Sequence, residues 1–388
     1  MQFSTNVAQL EPSATLALAA RARQLKADGV PIIDLSAGEP KFPAPDFAAR
    51  AAMEAIAAGR TGYPPTPGLP KLREAISRYL EDTTSHGPID PATVIVGAGV
   101  KQALFNCSFV LFGPGDEVLI PAPFWPSYTA IVGLARATPT IVDTTWEEGF
   151  VADVDRLEAA RTDRTRGLFL NSPGNPTGAV YDATALTAIL EWADRHGIWI
   201  LSDEIYRRLG YVEEVPSVYD VDQVPERVVL LDGMSKAFCM PGLRIGYAVG
   251  PEELIRKASD LQGQTTSGAV GPSQEAAVAT LGMTEAREAF IADLLEKLRI
   301  RRKEGLAGLR LIEELEVRPP DGSIYFYAKL VDDSRTSMEA AQELLRDHAV
   351  ACVPGEPFGS PGYLRFNFAV ERETLAEGIR RIGEFFGS

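Results

Sequence analysis

The sequence predicts an α/β protein with a large domain built on a mostly parallel sheet and a smaller α+β companion. Three observations carry this expectation. From residue 93 onward, β-prone runs alternate with amphipathic helical runs, the pattern of parallel strands joined by crossover helices. A chain of 388 residues exceeds what one hydrophobic core usually covers. After a long helical region, residues 285–315, the pattern changes to strands at 322–330, 350–353 and 363–368 and a closing helix.

Taken in order, the Ala-, Leu- and Arg-rich stretch 13–26 reads as a helix, and 31–36 as a short strand ending in the turn Ala37-Gly38-Glu39-Pro40. Gly38 suits either a plain turn or close approach of backbone to a ligand. A helix over 47–58 precedes the loop 63–70, where Pro64, Pro65, Pro67 and Pro70 forbid regular structure. That loop projects outward, and Tyr63 at its start is placed to reach another subunit. The expected strands of the large sheet are 93–96, 117–121, 138–142, 167–171, 198–202, 228–231 and 245–249. Helices 102–111 and 183–196 lie between them.

Composition narrows the function. Thirty-eight basic against 53 acidic residues give a net charge of −15, which disfavours nucleic acid and anionic membrane as main partners. Three cysteines far apart suit a reducing cytoplasm and give no disulfide framework. No basic n-region with an apolar core and no long apolar run is seen, so neither signal peptide nor membrane span is expected. Three histidines without an HExxH or CxxC pattern predict no metal site.

Parallel sheets bind ligands at the carboxyl ends of their strands, so the chemistry belongs in the following loops. Gly97-Ala98-Gly99-Val100-Lys101-Gln102 joins strand to helix and offers an anion site or a glycine-softened turn. It is neither a dinucleotide fingerprint, since Gln102 stands where the third glycine belongs, nor a Walker loop. Trp125, in Pro121-Ala122-Pro123-Phe124-Trp125-Pro126-Ser127-Tyr128, is a core residue or a flat face for an aromatic ligand. Asn171-Ser172-Pro173-Gly174-Asn175-Pro176-Thr177-Gly178 holds Asn175 in a stiff turn. Asp203, in Ser202-Asp203-Glu204-Ile205-Tyr206, is a helix N-cap, or else a buried acid that needs a cationic partner such as a protonated pyridine, with Tyr206 beside it. Lys236 lies in the turn-rich segment 231–247 between two strands, where desolvation favours the neutral amine that attacks carbonyls; a solvated loop lysine is the alternative. Arg365, the one charge in an apolar strand, pairs with an anion if buried and faces solvent if the strand is at an edge.

Together these loops ask for a ligand with a phosphate, a flat ring, a protonatable nitrogen and an aldehyde, a combination found in pyridoxal 5′-phosphate. On the motifs just quoted, with Leu35 to Pro40 and Pro12-Ser13-Ala14-Thr15, the chain resembles the fold-type I pyridoxal-phosphate enzymes. Within them it is similar to the class I/II aminotransferases, in the branch of bacterial aspartate and aspartate/prephenate enzymes. The resemblance implies a large cofactor-binding domain over 46–284 and a small substrate-closing domain from both termini, 1–45 and 285–388. It implies that Lys236 forms the Schiff base, Asp203 pairs with the ring nitrogen, Trp125 stacks on the ring, and Asn175 and Tyr206 hydrogen-bond its phenolic oxygen. Gly99, Val100, Lys101, Ser235 and Arg244 would hold the phosphate, with Tyr63 from a neighbouring subunit of a homodimer. Arg365 would clamp the substrate α-carboxylate beside the Gly38 backbone, and Trp125 and Asn175 would border the substrate. Lys101, Ser13 and Thr15 would favour a second carboxylate. One departure is Gly242-Leu243-Arg244, where the family commonly has Gly-Trp-Arg, a change that bears on substrate breadth.

The expected function is a cytoplasmic ping-pong transamination between L-aspartate or glutamate and 2-oxoglutarate or oxaloacetate. Aromatic or neutral amino acids, prephenate, or C–S lyase chemistry are alternatives on the same fold. A nicotinamide-dependent enzyme and a non-catalytic binding protein are the other classes; Gln102 opposes the first, and intact Lys236, Asp203 and Arg365 oppose the second.

Overall fold

The structure, a computed structural model, describes residue 7, residues 14–332 and residues 334–387, without the side chains of residues 14–19. Ser13 and the side chain of Thr15, both expected at the substrate site, therefore lie outside the described residues.

Helix α1 (Ala14–Ala27), strand β1 (Ile33–Asp34), and helices α2 (Asp46–Ala57) and α3 (Pro70–Thr83) come first. They are followed by β2 (Val94–Ala98), α4 (Val100–Leu111), β3 (Glu117–Ala122), α5 (Ser127–Leu134), β4 (Thr138–Asp143) and α6 (Val154–Ala160). Next are β5 (Thr165–Asn171), α7 (Ala183–His196), β6 (Trp199–Asp203), β7 (Val228–Gly233) and β8 (Ile245–Val249). The chain continues through α8 (Glu252–Thr265), α9 (Gly271–Gly282), α10 (Thr284–Leu309), β9 (Leu315–Val317), β10 (Tyr325–Leu330) and α11 (Ser337–Asp347). It ends with β11 (Val350–Ala351), β12 (Val353–Pro354), β13 (Tyr363–Asn367) and α12 (Arg372–Phe386).

The main sheet has the order β2-β8-β7-β6-β5-β3-β4. β8 runs antiparallel to both neighbours, and the other pairs are parallel. Helices cover both faces, so the central strands carry unbroken apolar runs: every residue of β7 and of β8 is buried. The reversal of β8 has a consequence for the site. Its first residue, Ile245, pairs with Ala98 at the end of β2, so Arg244 just before it reaches the same sheet edge as the loops that follow the parallel strands.

Toward the carboxyl end lies an antiparallel sheet of order β12-β13-β10-β9, and β11 pairs instead with β1 in a parallel two-stranded ribbon. The expected strand 350–353 is thus two strands, because Val350 and Ala351 pair with Ile33 and Asp34 while Val353 pairs with Arg365. The expected helix 285–315 stops at Leu309; residues 310–314 turn the chain, and β9 then pairs with β10 from Leu315. Helix α3 starts at Pro70, the last proline of the 63–70 loop, where a missing N–H costs nothing in the first turn.

Candidate active site

The end of the site expected to receive an anion is shaped by glycine. Gly99 has φ 85°, and a Cβ there would fall 2.4 Å from Arg244 Nη2; a Cβ on Gly246 would fall 2.1 Å from the Val100 nitrogen. Only bare backbone at both positions lets the start of α4 lie against β8 and beneath the Arg244 guanidinium. Arg244 donates to the Pro241 carbonyl at 2.9 Å and the Ala98 carbonyl at 3.1 Å, which fixes it over the helix start. Lys101 Nζ lies 4.7 Å over the Trp125 ring, and burial, then the charge of Arg244, lower its pKa. Two cations and a helix N-terminus facing one place make a site that an anion relieves.

Asp203 closes β6 and is 4% exposed. Its Oδ2 accepts from the Tyr128 hydroxyl at 2.9 Å and its Oδ1 from the Ile205 N–H at 3.2 Å. Burial pushes its carboxyl up to about 6, against the opposing pull of the Tyr128 hydrogen bond, the Ile205 N–H and the Lys236 charge. A turn and no helix follows, so the N-cap alternative is excluded. Across the register, Asn171 Nδ2 donates to the Asp203 carbonyl at 2.8 Å, while its Oδ1 accepts from the Asn175 N–H at 2.8 Å. Asn171 thereby ties the Asn175 turn to the acid.

The third group gathers on the Ser36–Gly38 turn. Lys236, at the head of the loop between β7 and β8, donates through Nζ to the Gly38 carbonyl and lies 5.5 Å from the centre of the Tyr206 ring. Arg365 is 3% exposed on an interior strand, so the solvent-facing alternative is excluded. It donates to Asn175 Oδ1 at 2.9 Å and to the Ser36 carbonyl at 2.8 Å, and its buried Nε has no hydrogen-bond partner. Asn367, one step further on the same strand face, donates to the Ala37 and Glu39 carbonyls at 2.7 and 2.8 Å and holds the turn in place.

The structure therefore brings Lys236, Gly38, Tyr206, Asn175 and Arg365 together, and Gly99, Val100, Lys101, Trp125 and Arg244 beside one another. Ser235, 8% exposed, immediately precedes Lys236. Tyr63 stands apart, 95% exposed. Sequence reasoning missed Tyr128, Asn171 and Tyr325. Tyr128 had a signal, one helical turn beyond Trp125; Tyr325 had none, because its approach to Tyr206 depends on how the two sheets meet. A cleft of about 710 Å³ lined by Asp82, Arg208, Arg287, Glu288 and Arg299 shares none of the expected residues. Its charges pair with one another, Arg208 and Arg287 both on Glu288, so it is not the chemical centre.

These donors fit pyridoxal 5′-phosphate: a cradle that a Cβ would fill, a desolvated acid awaiting a cation, and an amine for an aldehyde. Residues 30–382 match the sequence profile of the family Aminotransferase class I and II. The chain is 39% identical to a probable aspartate/prephenate aminotransferase of Thermus aquaticus over 98% of both chains. It is 38% identical to the aspartate/prephenate aminotransferase of Thermus thermophilus over 99% of both. The solved aspartate aminotransferase of Thermus thermophilus with maleate superposes with a TM-score of 0.95 at 38% identity, covering 99% of this chain and 100% of that one. The aspartate aminotransferase of Rhizobium meliloti gives 0.93 at 34% identity, covering 100% of this chain and 99% of that one. The chain belongs to the class I and II aminotransferases, a pyridoxal-phosphate-dependent family.

Proposed function

We propose that the protein moves an amino group from L-aspartate or glutamate to 2-oxoglutarate or oxaloacetate, with pyridoxal 5′-phosphate as cofactor and a homodimer as the working unit. The observation that carries this reading is the shared turn: Lys236 Nζ sits on the Gly38 carbonyl and Arg365 Nη2 on the Ser36 carbonyl. A proton-moving amine and a carboxylate-binding guanidinium are thus held by carbonyls two residues apart on one turn.

When bound, the cofactor supplies an aldehyde carbon and an electron-accepting ring. Lys236 would hold the cofactor through its amine and would take and return the proton of the substrate Cα. Asp203 would keep a positive charge on the ring nitrogen, since a buried carboxylate is best satisfied by a protonated partner. Asn175 and Tyr206 offer donors to the ring oxygen. Gly99, Val100, Lys101, Ser235 and Arg244 hold the phosphate, and Arg365 binds the α-carboxylate by two parallel hydrogen bonds. Lys101 lies in the first turn of α4 with its backbone and reaches over Trp125 with its ammonium, and that side chain supports a dicarboxylic substrate.

A domain division at residues 46–284 against both termini is supported by the two larger sheets being built from separate stretches of chain. Support for the dimer comes from Met53, Ile56, Tyr63 and Val270, apolar side chains each more than half exposed on α2, the following loop and the start of α9. The test is an amino-transfer assay across aspartate, glutamate, aromatic amino acids and prephenate. Parallel double-reciprocal lines with aspartate and 2-oxoglutarate support the reading; no transfer from any donor refutes it.

A further inference from the structure

Tyr325 belongs to neither half of the proposed site, yet it touches both. It is 1% exposed on β10, its hydroxyl 2.8 Å from that of Tyr206. Its ring carries the Arg365 guanidinium, whose Cζ is 4.2 Å from the ring centre. Its hydroxyl would lie 3.4 Å from a Cβ on Gly38, so it also abuts the turn that receives Lys236.

Two hydroxyls that share one hydrogen bond hold two protons and use one between them. The acceptor's proton is left to point elsewhere, and in a buried place a donor without an acceptor costs about 1–3 kcal/mol. Tyr206, with Lys236 over its ring and Asp203 three residues before it, is the member next to the cofactor position. Its proton is the one available to a ligand oxygen only if its own oxygen accepts from Tyr325.

We propose that Tyr325 is a positioning residue: it donates to Tyr206, directing the Tyr206 proton at the phenolic oxygen of the cofactor, while its ring seats Arg365 for the substrate carboxylate. This rests on the reading of the site given above. A phenol that accepts one hydrogen bond donates a stronger one, so the pair stabilises negative charge on the ring oxygen more than Tyr206 alone. The aromatic face orients the guanidinium without competing for its donors.

The two roles separate by substitution. In Tyr325→Phe the ring stays and the donor goes. The pH midpoint of the visible-absorption change of bound cofactor should rise by about 0.5–1 unit, the equivalent of one net hydrogen bond. Maleate affinity should change less than about twofold. In Tyr325→Leu the ring goes too, and maleate should bind roughly 3- to 20-fold more weakly, the range of a partly desolvated cation–π contact. Tyr206→Phe should shift the midpoint further, and adding Tyr325→Phe to it should move nothing more, because Tyr325 acts through Tyr206. A wild-type band that titrates, with an unmoved Tyr325→Phe midpoint or a further shift in the double variant, overturns this inference alone. Tyr325→Leu binding maleate as wild type overturns the Arg365 half. A wild-type protein with no visible band overturns the cofactor reading and this inference with it, and a visible band that does not titrate overturns this inference alone.

Discussion

The Tyr128 hydroxyl donates to Asp203 at 2.9 Å inside the protein, and it is the side-chain donor to that carboxylate among the described residues. The contact joins the first turn of α5 to the end of β6, two elements 75 positions apart in sequence. A charge-assisted hydrogen bond of this kind keeps a buried acid ionised, which is the form that a protonated ring nitrogen requires. Tyr128→Phe keeps the edge-on packing against Trp125 and Phe169 and removes only the donor. Its affinity for pyridoxal 5′-phosphate, read by titration of the cofactor-free protein, should fall about tenfold. Unchanged affinity would mean the bond is structural.

Asp203 also predicts a pH dependence of stability in the cofactor-free protein. Burial raises its folded pKa from 3.8 to about 6. A carboxyl raised on folding contributes stability that is fully present below its unfolded value, near pH 4, and lost as pH rises through 6. Between pH 5 and pH 8 the wild type should therefore lose about 1–2 kcal/mol relative to Asp203→Asn, measured by denaturant unfolding at both pH values. Glu204, pushed by burial up to about 7, acts in the same direction in both proteins and drops out of the comparison, whereas Asp232, pushed by burial up to about 6 and raised in part by the Asp203 charge, relaxes in the variant and adds to the difference in the same direction.

Gly99→Ala is expected to damage phosphate binding selectively. The added methyl meets the Arg244 guanidinium, and the backbone at φ 85° is unfavourable for alanine. Affinity for pyridoxal 5′-phosphate should drop about 100-fold, the loss of a charge-assisted contact with added strain, while pyridoxal without the phosphate binds as before. Equal losses for both compounds would place the phosphate elsewhere.

Tyr63 gives a test of shared sites. If it completes the partner's phosphate site, Tyr63→Ala and Lys236→Ala proteins, each impaired alone, should regain activity when mixed under conditions that exchange subunits, because one site of the hybrid then has both residues. No recovery in verified hybrids would show that each chain's site is self-contained.

How far the sequence alone reached follows from what each feature depends on. The alternating strands and helices were legible because burial on both faces leaves unbroken apolar runs, as in Val228 to Leu231. Lys236, Asp203, Asn175 and Arg244 could be singled out because each lies at or just beyond a strand end, while the roles expected of them came from the resemblance. Tyr128, Asn171 and Tyr325 were not, since their partners are set by register and by how sheets face each other. The division of residues 350–353 between two sheets had the same cause: pairing partners lie hundreds of residues away or across a turn. Helices α3 and α9, which carry proline in the first turn, were not among the expected elements, because proline marks loops as readily as helix starts.

The most direct test is to add pyridoxal 5′-phosphate to wild-type and Lys236→Ala proteins, reduce both with borohydride, digest them, and locate the cofactor by mass spectrometry. A visible band in the wild type, with the reduced cofactor fixed to the peptide carrying Lys236 and absent from the variant, is the predicted result. Wild-type protein that stays colourless, or label on another lysine in both proteins, would contradict it.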